Sequence, residues 1–150
     1  MGNLSPNFDT SEFTRSRTAT KRGIDNSIPE TLMPNLEKLA YTLERIRTSI
    51  NGPIIITSGY RSPELNTAED GSTRSAHCHA LAADFHTPVM DCKLLAKMIR
   101  GSGISFDQLI YEGSWVHFGL ATNKRRKPRQ EILTAVFTPG KKTKYISGIE

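Results

Sequence analysis

Ser75-Ala-His77-Cys-His79-Ala-Leu-Ala-Ala-Asp84-Phe-His86 passes from a polar start into a short apolar stretch that carries a single carboxylate. Leu81 to His86 reads as a strand. In a strand, successive side chains alternate between faces, so Asp84 and His86 share one face while Phe85 points the other way, into a core. His77 precedes the strand in a loop. The small flanking residues Ala76, Ala80, Ala82 and Ala83 let strand and loop approach closely.

A second strand pair follows about thirty residues later. Gln108-Leu-Ile-Tyr111 and Trp115-Val-His-Phe118 are both strand-like, and Gly113-Ser114 between them suits a two-residue hairpin loop with glycine at the first turn position. Glu112 then pairs with Trp115 and Ile110 with His117, and all four project from one sheet face. Glu112 and His117 become diagonal neighbours, about 7–8 Å apart at the backbone.

These two segments bring chemistry together. A histidine and a carboxylate seven positions apart, His77 and Asp84, joined by the distant His117, offer three borderline nitrogen and oxygen ligands. A catalytic zinc uses such a set while its fourth position stays open to water, which points to a hydrolase. Any one of these histidines alone reads as a surface or packed imidazole. The three residues together, among small neighbours, are harder to explain as packing. Cys78, between two histidines, reads either as a further ligand or as a small buried thiol.

Length and composition bound the remaining choices. At 150 residues the chain suits one domain, long enough to bury roughly two thirds of its unfolded surface without staples. No stretch approaches the ~18 apolar residues of a membrane span, and the first residues lack the apolar run of a signal peptide, so the expectation is a soluble product made in the cytoplasm. Two cysteines, Cys78 and Cys92, are too few for a secreted disulfide framework. The net charge is +5, with much of the excess in Lys124-Arg-Arg-Lys127, Arg129, Lys141-Lys142 and Lys144. Such a basic tail suits nucleic acid, anionic lipid or an acidic wall polymer, or is a solvated edge. No aromatic interleaving accompanies it, so specific nucleic-acid binding is not expected.

The clearest regular element is a helix over Pro29–Ile50. Leu32, Leu36, Leu39, Leu43, Ile46 and Ile50 form one stripe of a 3.6-residue period. Asn51-Gly52 stops it, and Ile54–Thr57 is a β-branched run read as a buried strand. Residues 59–74, rich in Gly, Ser, Pro, Asn and Asp, read as a long irregular loop. Asp91 caps a helix whose Leu94, Leu95, Met98 and Ile99 face inward and which ends at Gly101. A short capped helix is expected between Phe8 and Thr20, starting near Ser11.

Ser58-Gly-Tyr-Arg-Ser62, Leu65-Asn66, Asp70-Gly-Ser72, Ser75-Ala-His77, Ala82-Ala-Asp84, Asp107-Gln-Leu-Ile110 and Trp115-Val-His117, taken together, resemble the zinc D-Ala-D-Ala carboxypeptidase family, which includes bacteriophage peptidoglycan endopeptidases. The resemblance runs from about Asn7 to Leu120, and Asn7-Phe8 with Ser11-Glu-Phe13 is similar to the opening of the phage- and prophage-encoded branch. It implies the small α+β fold shared with the Hedgehog signalling domain, an antiparallel sheet with helices packed against it. It also implies Zn2+ held by His77, Asp84 and His117 and a substrate-anchoring role for Arg61; Ser75 and Trp115 are expected beside them on the substrate side, Ser75 also supporting the site by hydrogen bonding. On this reading residues 1–150 are one peptidase domain, with a core of about 7–120 and a basic extension over 121–150.

Two departures from the family pattern matter. The family usually has glycine three residues after the first histidine, where this chain has Ala80. Relatives place the catalytic carboxylate three residues before the last histidine, where this chain has Ser114. Glu112 is the substitute that the hairpin supports; otherwise Glu112 is an exposed hairpin-end residue and His79 or His86 handles the proton. Arg61 either grips a substrate carboxylate through its planar fork or braces the loop.

The expected activity is zinc-dependent hydrolysis of an amide bond in peptidoglycan stem peptides by a monomer that neither inserts into membranes nor recognises nucleic acid. The expected setting is a phage or prophage endolysin, held in the host cytoplasm before lysis and then acting at the periplasm and cell wall. A non-catalytic virion or wall-binding module on the same fold is the alternative.

Overall fold

A computed structural model of the protein describes residues 3–72, 74–122 and 127–150. The chain order is β1 (Asn3–Ser5), β2 (Phe8–Asp9), α1 (Thr10–Thr14), α2 (Arg17–Arg22), α3 (Met33–Ile50), β3 (Ile55–Ser58), α4 (Pro63–Ala68), β4 (Ala82–His86), α5 (Cys92–Arg100), β5 (Gln108–Tyr111), β6 (Val116–Gly119), β7 (Glu131–Val136) and β8 (Lys144–Ser147). Two 3-10 turns add to these, Glu30–Leu32 ahead of α3 and Ala76–His79 ahead of β4.

The apolar stripe of α3 does what its period requires: Leu36, Leu39, Leu43 and Ile46 are fully buried. Pro34 lies in its first turn, where a missing N–H costs nothing, and Asn51 ends it in the left-handed conformation. The helix start differs from the sequence expectation, since Glu30–Leu32 form a 3-10 turn before the α-helix proper. Between Phe8 and Thr20 two short helices form instead of one. Asp9 caps the first in a capping box with Glu12, and Ser16 caps the second.

Six strands form one sheet in the order β3-β4-β6-β5-β7-β8. Phe85, Leu109, Val116 and Phe118 point from one face into a core closed by α3 and by Leu95 and Ile99 of α5. Each such side chain contributes about 1.5–3 kcal/mol by leaving water. The opposite face carries Asp84, Ile110 and His117, which lie side by side because Asp84 pairs with His117 and His117 with Ile110. The fold is thus α+β, helices on one face of a sheet and a cleft on the other.

The sheet is antiparallel except where β7 runs parallel to β5. β6 ends beside the start of β5, so a strand that enters next to β5 from there must run the same way. Residues expected to trail beyond the core therefore extend the sheet. Three main-chain and side-chain ties hold β7 at its start: Arg129 pairs with buried Asp107 at 2.9 Å, Gln130 N–H donates to Phe106 O at 3.1 Å and Glu131 N–H to Asp107 O at 3.0 Å. Ile149 closes the extension by packing into the core.

Other expectations need correction. The 59–74 segment is not wholly irregular: Ser62 accepts from Leu65 N–H and Pro63 opens α4, which buries Leu65. In α5 the inward residues are Cys92, Leu95, Ala96 and Ile99, while Leu94 and Met98 are exposed. Small Cys92 and Ala96 bring the helix close to its neighbours and turn the larger pair outward. Of the basic cluster, Lys124, Arg125 and Arg126 lie outside the described residues; Lys127, Lys141, Lys142 and Lys144 are exposed. Among the described residues no helix is long and apolar enough to cross a membrane.

Candidate active site

His77, Asp84 and His117 converge. One ligand atom from each lies within 4.8 Å of the others. The Asp84 carboxylate is 3.0 Å from His117 Nδ1 and 3.4 Å from His77 Nε2. The alternation of β4 aims Asp84 at the cleft, its register with β6 puts His117 beside it, and the 3-10 turn delivers His77 from above.

Backbone geometry fixes the protonation pattern of His77. Its Nδ1 donates to Gly59 O at 2.7 Å, and because a carbonyl only accepts, Nε2 is left with its lone pair toward Asp84. Burial lowers the His77 pKa against the opposing pull of Asp84. Burial alone would raise Asp84, yet the His77 and His117 imidazoles outweigh it and hold the carboxyl far below the usual range. Two neutral-capable nitrogens and an ionised carboxylate, with a carbonyl orienting one ring from behind, fit a divalent zinc.

The turn that carries His77 is built for it. Ser75 Oγ accepts from His77 N–H at 3.2 Å, and His77 O accepts from Arg61 N–H at 3.1 Å. Ala80 ends the turn at φ 57°, fully buried. This is where the family's usual glycine would sit without strain; alanine adopts the left-handed conformation at a cost of about 1–2 kcal/mol.

Glu112 and Trp115 face each other across the hairpin end, with Glu112 N–H donating to Trp115 O at 3.0 Å and Trp115 Nε1 donating to Glu112 Oε2 at 3.1 Å. Gly113 takes φ 78°, as the turn requires. Burial and the charge of Asp84 raise the Glu112 pKa despite His117, Trp115 and Arg61. Ser114 is exposed in the turn and does not line the cleft, whereas Glu112 does. Neither His79 nor His86 lines the cleft either. Cys78 is half-buried and outside the ligand group, with its thiol pKa raised by burial.

Arg61 closes one end of the cleft. Its guanidinium contacts Glu69 at 3.2 Å, Asp84 at 3.6 Å and Ser58 Oγ at 3.3 Å, so it both braces the loop and borders the ligand group. The cleft encloses about 610 Å³ and contains all seven residues singled out from the sequence: Arg61, Ser75, His77, Asp84, Glu112, Trp115 and His117.

Several supporting residues lie outside the site set read from the sequence, although Gly59 falls within the Ser58–Ser62 motif. Asn26 is buried and ties three segments: its Nδ2 donates to Thr14 O at 2.9 Å and Tyr60 O at 3.0 Å, and its Oδ1 accepts from Ser62 N–H at 2.7 Å. It sets the loop that bears Arg61. Gly59 lies so close to α1 that a Cβ would fall 2.6 Å from Phe13 O. Leu133 and Tyr145, from β7 and β8, complete the cleft wall.

An α+β domain with a buried His-Asp-His set, a cleft-lining glutamate and an arginine at the cleft end has the layout of a metal-dependent hydrolase. The model of the peptidase M15 family matches residues 6–119, and the chain belongs to that family. Members are zinc-dependent peptidases acting on peptidoglycan-type substrates. A comparison with curated proteins finds no match.

Proposed function

We propose that this protein hydrolyses an amide bond in peptidoglycan stem peptides, with zinc held by His77, Asp84 and His117. The observation that carries the reading is the convergence of these three ligand atoms within 4.8 Å in a cleft shared with Glu112 and Arg61. When bound, zinc supplies a Lewis acid and an acidified water. Glu112 takes the water's proton on its carboxylate and returns it to the leaving amine. Its raised pKa makes the carboxylate a stronger base and so helps the first step. Trp115 Nε1 holds that carboxylate in place. Arg61 grips a substrate carboxylate by its planar fork, and its pairing with Glu69 keeps the fork oriented. Ser75 steadies His77 from the cleft wall, where it also meets substrate.

The protein works as a monomer at the cell wall, without nucleic acid or membrane insertion. The lytic setting, release from the cytoplasm of a phage- or prophage-bearing host to the wall, rests on Asn7-Phe8 and Ser11-Glu12-Phe13.

The test is zinc-loaded protein on purified peptidoglycan, with mass spectrometry of the soluble products. New amino groups and one dominant cleaved bond are expected. Stoichiometric zinc with no new amino groups would replace this reading with that of a wall-binding module. Expression in a bacterial cell, with and without permeabilising the inner membrane, tests the lytic role: lysis is expected only with permeabilisation.

A further inference from the structure

The β7–β8 hairpin lies beyond the segment that matches the family, yet it walls the cleft. Register shows how. Tyr111 pairs with Thr134, so Glu112 comes level with Ala135, and Ala135 pairs with Tyr145. Glu112, Ala135 and Tyr145 therefore stand in one row on the site face. One row below, His117 pairs with Ile110 and Ile110 with Leu133. The middle residue of the upper row is a buried alanine, and Glu112 and Tyr145 on either side of it both line the cleft.

The cleft is lopsided about the ligand group. On one side Arg61 sits 3.6 Å from Asp84, beside the loop residues Glu69 and Ser72 that also line the cleft. On the other, Tyr145 stands two strands past Glu112, about 10 Å at ordinary strand spacing, and four strands past Asp84, about 19 Å. An extended peptide advances about 3.3 Å per residue, so roughly three residues fit between Glu112 and Tyr145.

We propose that β7–β8 is a substrate-selecting wall: Leu133 and Tyr145 contact the stem-peptide residues remote from the Arg61 end, and the protein prefers long stem peptides over short fragments that hold the same bond. Tyr145 is half exposed and lines the cleft, and its ring offers an apolar face with a polar hydroxyl to a peptide. This inference deepens the peptidase reading and rests on it for the reaction, but not for binding.

The experiment compares the stem pentapeptide with the shortest fragment of it that keeps the cleaved bond. Tyr145→Ala and Leu133→Ala are each expected to lower kcat/KM for the pentapeptide roughly tenfold, the scale of losing one well-packed contact, and for the fragment less than about twofold. Zinc content should not change. Equal losses on both substrates, or none on the pentapeptide, would overturn the proposal. If one variant does not fold, the other carries the comparison. Calorimetry of the pentapeptide with metal-free protein gives a second reading: binding should weaken roughly tenfold in Tyr145→Ala. Unchanged binding overturns the wall, whereas Tyr145-dependent binding by a protein that cleaves nothing upholds it and overturns the peptidase reading instead.

Discussion

His77 donates its Nδ1 proton to the carbonyl oxygen of Gly59 at 2.7 Å, and this one bond decides which nitrogen of the ring faces Asp84. Gly59 can serve because it has no side chain: a Cβ would fall 2.6 Å from Phe13 O and 2.7 Å from Phe13 Cα, both backbone atoms that cannot step aside. Gly59→Ala should therefore cost about 1–3 kcal/mol of stability, the range of mutations with a named packing fault. By tilting the His77 partner it should also weaken zinc retention roughly 10–100-fold. Thermal melts and competition against a chelator measure the two effects, and a variant with wild-type zinc affinity would remove Gly59 from the site.

Replacing a ligand has a sharper signature. His77→Ala and His117→Ala should each abolish zinc retention and hydrolysis, because a three-ligand site that loses one member loses its catalytic geometry. Chelation of the wild type should do the same to activity while the fold persists, since the core of Phe85, Phe118, Leu39 and Leu95 does not include the ligands. Elemental analysis with circular dichroism reads both. Stoichiometric zinc in a fully active variant would break the assignment.

Glu112→Gln keeps shape and removes the proposed base, so hydrolysis should fall by roughly a hundredfold or more with zinc and fold intact. Burial and Asp84 raise the Glu112 pKa, so the carboxyl stays protonated to higher pH than the ordinary value of about 4.3. The stability linkage has a definite sign. A raised folded-state pKa favours the protonated form, so metal-free protein is steadier below the ordinary glutamate range and loses that contribution as pH rises through the raised value. Glu112→Gln should flatten this pH dependence of the melting temperature. Full activity in the glutamine variant would send the search to another base.

Arg61→Lys keeps a positive charge but loses the fork that meets Ser58, Glu69 and Asp84. Substrate use should suffer, mainly in KM, while zinc stays bound. Steady-state kinetics beside metal analysis checks this; unchanged kinetics would leave Arg61 with only its bracing role.

Arg129→Ala removes the guanidinium that pairs with buried Asp107 at the entrance to β7. Arg129 itself is half exposed, so the loss should be modest, about 1–2 kcal/mol in a urea melt. Because Leu133 lies just beyond this anchor, hydrogen exchange should quicken in β7 ahead of β4 and β6. Uniform exchange across the sheet would show that β7 is held by other means.

Local pattern carried much of this protein by itself. The stripe from Leu36 to Ile50 dictates α3, the alternation around Asp84 and Phe85 dictates β4, and Gly113-Ser114 sets a hairpin register that puts Glu112 and His117 on one face. Each of these depends on periods of 3.6 or 2 and on turn chemistry, which act over a few residues and so leave a mark in the sequence. The donor set of His77, Asp84 and His117 was legible for the same reason, as a chemical rarity among small neighbours.

Tertiary structure decided what no local period encodes. Asn26 links Thr14, Tyr60 and Ser62 by side-chain bonds to backbone groups far along the chain, and asparagine in a polar loop looks the same whether or not it does this. Polar composition hid α4, whose formation hangs on the Ser62 cap and the burial of Leu65. The fate of the C-terminal residues turned on a parallel pairing with β5, a contact between distant segments whose register depends on the buried Asp107–Arg129 pair and on where β6 releases the chain. Residues such as Tyr145 become part of a cleft only when that pairing exists, because strand order is a property of the assembled sheet and not of any one strand.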